Sequence, residues 1–91
     1  LQNAHVIGTD EYNRRVAAGT PTSGFNTQAE ANAYTQYAWE HGTPVAGRPG
    51  VRDFNFGKPV GRGPNGGWQT TVRVHMDRSG RIHGHPKGRE Y

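Results

Sequence analysis

The chain of 91 residues contains no cysteine, which excludes a disulfide framework and a cysteine-ligated zinc site. Its longest apolar runs are three residues, Val16-Ala17-Ala18 and Tyr37-Ala38-Trp39, too short for a membrane-spanning helix or the core of a signal peptide. No segment recurs at the roughly 20–50-residue spacing of a solenoid. Hydrophobic residues amount to 31%, so a thin core and modest stability are expected of one small domain over residues 1–91. Lysine is scarce: only Lys58 and Lys87 among eleven basic residues, the other nine being arginines. The first residue is Leu1 rather than methionine, and the expectation is a domain excised from a longer polypeptide.

What the chain does contain is glycine, arginine and histidine. Fourteen glycines and six prolines make it loop-rich, without the three-residue period of collagen. Eleven basic against seven acidic residues give a net charge of +4 and a pI near 10.0. The rigid donor fork of arginine suits phosphate better than a lysine point charge does. Five histidines add groups that titrate near neutral pH. A small, basic, arginine-heavy domain of this kind points to nucleic acid as partner or substrate.

The local pattern predicts a short helix from Asp10 to about Ala18, capped by Thr9 or Asp10 and stopped by Gly19. A loop follows over residues 19–24. A second helix opens on a Thr27/Glu30 capping box and ends at Gly42. Its apolar face is expected at Ala29, Ala33, Tyr37 and His41, with Tyr34 and Ala38 beside them. Residues 43–67 read as mostly irregular, apart from an alternating segment at Asp53-Phe54-Asn55-Phe56. Gly61 to Gly67 reads as a mobile loop lacking the Lys-Ser/Thr of a phosphate-binding P-loop. His41 ends a helix, where a cation complements the carbonyl dipole. Trp68 suits either base stacking or core packing.

The last third alternates strictly. Val72, Val74 and Met76 fall on one face and Thr71, Arg73 and His75 on the other. Arg81 to His85 alternates again, and Pro86 is expected to end that strand. A three-residue Arg78-Ser79-Gly80 loop with Gly80 left-handed sets Asp77 opposite Arg81, Met76 opposite Ile82 and Val74 opposite Gly84. The same register sets His75 opposite His83 and Arg73 opposite His85, a polar wall that begins at Thr71. Imidazoles so placed can act as acid and base on an RNA phosphodiester while arginine neutralises phosphate charge. Two other readings stay open for this wall: a divalent-metal site of His75, His83 and His85, and a solvated strand face with no chemistry.

The layout resembles the RNase A-like toxin domains at the carboxy termini of bacterial contact-dependent inhibition and related polymorphic toxins. The likeness rests on His5-Val6 before a short helix ending in Tyr12-Asn13-Arg14-Arg15-Val16. It rests also on Thr22-Ser23-Gly24-Phe25-Asn26-Thr27 leading into an alanine-rich helix, and on the final hairpin ending in His83-Gly84-His85-Pro86. The resemblance implies a kidney-shaped α+β domain that cleaves RNA in a competing bacterium and is neutralised by a cognate immunity protein, here expected to be acidic. It implies an active site at His5, Arg15 or Arg14, His83 and His85, and this chain has histidines where the family commonly has Thr and Tyr on the last strand.

The fold expected is α+β, two amino-terminal helices packed on a small antiparallel sheet, with a barnase-, EndoU- or RelE-like arrangement as second choice. The function expected is a metal-independent endoribonuclease toxin with no cofactor. His5 and either His83 or His85 would transfer protons, Arg15 and Arg73 would stabilise phosphate charge, and Arg14, Thr71, His75 and Ser23 would contact substrate. The domain would be monomeric or paired with its immunity protein. It would be delivered as part of a larger secreted or cell-surface toxin and act in the target-cell cytoplasm. The alternatives are a metal-dependent DNase toxin and a non-catalytic RNA-binding module.

Overall fold

Thr27 starts the helix around which the fold is organised. Its hydroxyl accepts a hydrogen bond from the Glu30 amide at 3.1 Å, one half of the expected capping box, and α2 (Gln28–His41) follows. The computed structural model describes residues 5–19 and 22–91; Thr20 and Pro21, in the expected loop, lie outside them. α2 buries Ala31, Thr35 and Ala38, whereas Ala29, Ala33 and Tyr37 are exposed. The buried stripe is thus turned roughly 150° around the helix from the expected Ala29/Ala33/Tyr37/His41 face, and it takes in Ala38, which the sequence placed beside that face. The reason is close approach. A Cβ added to Gly84 would lie 2.4 Å from Thr35 Oγ1, so only small helix side chains fit against the sheet. Tyr34 and Tyr37 instead flank the contact and meet Phe56 and Phe54 edge-on, at 4.9 and 5.2 Å between ring centroids.

The sheet under α2 has four antiparallel strands: β2 (Thr43–Pro44), β3 (Val51–Asn55), β6 (Thr71–Met76) and β7 (Ile82–Lys87), in the order β2-β3-β6-β7. The β6–β7 hairpin has the register that the alternation predicts, with Met76 opposite Ile82, His75 opposite His83, Val74 opposite Gly84 and Arg73 opposite His85. Gly80 takes φ +85° in the turn, and the Asp77 amide donates to the Arg81 carbonyl at 2.8 Å. Two expectations are corrected. Pro86 does not end the strand: it sits fully buried opposite Val72, and β7 runs on to Lys87. Proline is tolerated there because β7 is the sheet edge. Met76, expected on the core side, is exposed at the hairpin end, while Val72 and Val74 are fully buried.

A second antiparallel sheet, β1 (Gly24–Phe25), β4 (Gly61–Arg62) and β5 (Trp68–Gln69), adjoins the first. Phe25 and Val60 join Val6, Val72 and Val74 in the core cluster between the layers. The architecture is α+β, but the helix layer over the main sheet is α2 alone. The first helix, α1 (Asp10–Ala17), is capped by Thr9 and buries none of its residues. The segment 61–67, read as mobile, is tied down: Glu90 accepts from the Gly67 amide at 2.7 Å and from Asn65 Nδ2 at 3.1 Å. Among the described residues no helix is long and apolar enough to cross a membrane.

Candidate active site

Helix α2 covers one face of the main sheet, so alternate residues of β3, β6 and β7 project from the other. Across the β6–β7 ladder this face carries His75 beside His83, Arg73 beside His85 and Thr71 beside Lys87, with Asp53 of β3 next to Arg73. The expected polar wall is present, and Lys87 extends it. Lys87 went unrecognised in the sequence because Pro86 reads as a strand terminator.

His5 reaches this wall from the amino-terminal segment. That segment lies against β1: the Phe25 amide donates to the His5 carbonyl at 2.7 Å and the Ile7 amide to the Phe25 carbonyl at 2.8 Å. Val6 turns inward and is buried. Extended backbone alternates sides, so His5 and Ile7 face away from the core. The imidazole of His5 meets that of His85, centroids 5.1 Å apart and planes 31° from parallel. His5 Nδ1 donates to the Ser23 carbonyl at 2.9 Å, which assigns its second nitrogen, Nε2, as the one that exchanges protons. Ser23 therefore acts through its backbone, and the residue itself is buried.

The two arginines of α1 separate cleanly. Arg14 is 73% exposed and paired with Glu11 at 2.9 Å. Arg15 lies near enough to His5 to disfavour its protonation. On the sheet, Arg73 is already engaged. Its Nε and Nη2 donate to the two carboxylate oxygens of Asp53 at 2.8 and 2.9 Å, and Lys87 Nζ stands 3.7 Å from the same carboxylate. The bond from Arg73 holds the Asp53 carboxyl below its ordinary pKa. Asp53 thus engages the Nε and Nη2 side of the Arg73 guanidinium, which was expected to serve phosphate.

His83 points toward the hairpin turn. Its Nε2 donates to Asp77 at 2.9 Å, and its ring stacks on His75 at 5.6 Å. Asp77 also accepts from the Ser79 hydroxyl and amide and from the Arg81 amide, and the bonds from Ser79 and His83 keep it ionised far into acid. His83 thus belongs to the turn, and the partner of His5 is His85.

Burial and charge act together on the imidazoles. Burial, then the fields of His5, His75, Arg73 and Lys87, pulls the His85 pKa down to about 4. Burial also lowers His5, with Arg15 and His75 adding to it, but the Ser23 carbonyl opposes the shift by favouring the cation. His75 is lowered by loss of hydration, His83 and Arg48. His5, His75 and His85 therefore form one electrostatic unit ringed by Arg15, Arg48, Arg73 and Lys87. Such a concentration of cations around neutral imidazoles favours an anion in contact with both. Among the described residues no three His, Asp or Glu side chains converge to hold a metal ion. Comparisons with protein-family models, curated proteins and solved structures found no match to this chain.

Proposed function

We propose that this domain is a metal-independent endoribonuclease that cleaves RNA by acid–base transphosphorylation on the His5–His85 pair. The observation that carries the reading is that pair itself: two imidazoles 5.1 Å apart, from distant parts of the chain, set among cations. Environments that push two titratable groups apart assign their roles. His85, held neutral with its pKa near 4, is the base that takes the 2′-hydroxyl proton. The 2′-oxygen then attacks phosphorus and the bond to the 5′-oxygen breaks. That oxygen takes its proton from His5, whose cation the Ser23 carbonyl stabilises. The products are a 2′,3′-cyclic phosphate and a free 5′-hydroxyl. Arg15 and Lys87 supply positive charge as the phosphorane forms, and a bound phosphate raises the pKa of both histidines toward neutrality.

The resemblance to RNase A-like toxin domains supplies the biological setting of the proposal. The target is RNA in the cytoplasm of a competing bacterium, delivery is by a larger secreted or surface-exposed polypeptide, and an acidic immunity protein covers the cationic face. The net charge of +4 and the cations around His5 and His85 support an acidic inhibitor. Product analysis tests the chemistry. Cleavage of a defined oligoribonucleotide should leave a 2′,3′-cyclic phosphate, visible by phosphorus NMR, whereas 5′-phosphate ends contradict the mechanism. Binding without cleavage would make the domain an RNA-binding module.

A further inference from the structure

Helix α1 is amphipathic, yet none of its residues is fully buried; Tyr12 is half-buried, its ring beside Gly24. Tyr12 and Val16, one turn apart on the same side, face a cleft of about 630 Å³ whose opposite wall is the tied-down loop 61–67. Val16 is 52% exposed, an unusual position for valine on a helix that has its own cavity to line. Ile7 lines the cleft as well. It lies two residues from His5 on the same side of an extended segment, roughly 7 Å along the chain, the scale of one nucleotide step. The helix that sets Arg15 by His5 thus also sets an apolar wall beside it.

The far wall contains a prepared stacking surface. The Arg62 guanidinium lies 3.5 Å from the centroid of the Trp68 ring, and its Nη1 donates to the Gly66 carbonyl at 3.0 Å. The cation is thus packed on indole, and Arg62 also lines the cleft. Glu90 fixes the loop behind it through Gly67 and Asn65. An aliphatic ligand has no use for a flattened cation, whereas a nucleobase stacks on guanidinium planes and on tyrosine alike. The volume falls within the range of sites for molecules of that size.

We infer that the cleft between α1 and the 61–67 loop is a nucleobase pocket, which takes the base next to the phosphate held by His5 and His85; this rests on the ribonuclease reading for the identity of that phosphate. Stacking makes the pocket tolerant of base identity. It adds affinity that the phosphate contacts alone do not provide.

The test is equilibrium binding at fixed salt of two uncleavable probes of equal charge: a deoxyadenosine tetranucleotide, and the same backbone with four abasic units. The base-bearing probe should bind on the order of 10-fold more tightly, and Tyr12→Ala should erase most of that difference while leaving the abasic probe unchanged; Arg62→Ala, which also removes a cation, should weaken both probes and erase most of the difference between them. Proton NMR of the wild-type domain gives a second readout independent of any variant's folding: Val16 methyl and Tyr12 ring signals should shift with the base-bearing probe only. Equal affinity for the two probes, or a preference that persists in both variants with Val16 unmoved, overturns the inference. Because neither probe has a 2′-hydroxyl, the result is separate from catalysis. A base preference in a domain that fails to cut RNA leaves the pocket standing and removes the ribonuclease reading.

Discussion

The imidazoles of His5 and His85 lie 5.1 Å apart, although 79 residues of chain separate them (85 − 5 − 1). One is carried by a strand edge and the other by a segment stapled to β1, so the pair exists only in the folded domain. Replacement of either by alanine should lower RNA cleavage by about 10²-fold or more. A substrate with a leaving group that needs no proton, such as a nitrophenyl ester of a 3′-nucleotide, separates the roles. It should restore much of the rate of His5→Ala and little of that of His85→Ala; the reverse pattern would exchange acid and base.

The arginines should divide as their partners do. Arg15→Ala removes the cation beside His5, and a loss of about 10²-fold in kcat is expected. Arg14→Ala breaks only an exposed pair with Glu11 and should change the rate no more than about twofold. Arg73→Ala removes both guanidinium bonds from the Asp53 carboxylate, leaving it Lys87 alone, and should cost about 1 kcal/mol of stability. Denaturant midpoints alongside initial rates distinguish the three.

Much of this was legible in the sequence, for a stated reason. The β6–β7 register follows from a period of two and one turn glycine, because a one-residue slip would turn Val72 and Val74 to solvent. The contribution of His5 could be expected only by resemblance, since no local pattern links a residue before α1 to the last strand. The α2 face was misread because apolar periodicity counts tyrosine as core, whereas the close approach of Gly84 to Thr35 admits only small residues. Lys87 was hidden by Pro86, and the Asp53–Arg73 fork because nothing in the alternation at Asp53–Phe56 says that this segment pairs with the strand of Arg73. The Arg62–Trp68 stack left no signal, as such contacts have no sequence period.

Acid should destabilise the domain before its carboxylates protonate. His85 has a folded pKa of about 4 against an ordinary 6.5, so the unfolded chain takes up that proton first as pH falls. Stability is fully present above pH 6.5 and is lost as the pH drops toward 4, by about 3 kcal/mol from this residue. His5 and His75 are shifted in the same direction. Unfolding midpoints between pH 7.5 and roughly 4 should fall steeply in wild type and more gently in His85→Asn. Inorganic phosphate, by favouring the protonated imidazoles, should bind more tightly at pH 5.5 than at pH 7.5. Equal slopes for wild type and His85→Asn would contradict the burial assigned to this ring.

The close approach of Gly84 to Thr35 offers a stability test on the core side of the sheet. Gly84→Ala would drive a Cβ to 2.4 Å from Thr35 Oγ1, in the middle of the α2–sheet contact. A loss of about 1–3 kcal/mol is expected from overpacking, read as a lower denaturant midpoint. Gly47, where an added Cβ meets nothing within 4 Å, provides a comparison site for strain from its left-handed backbone alone.

The central claim is a metal-free ribonuclease centred on His5 and His85. Its most direct measurement is incubation of the domain with total bacterial RNA and with plasmid DNA, each with and without EDTA, beside His5→Ala and His85→Ala. The account predicts RNA loss that EDTA does not affect, intact DNA, and intact RNA with both variants over the same interval. RNA left whole by the wild-type domain, or any nuclease activity that EDTA abolishes, would contradict it.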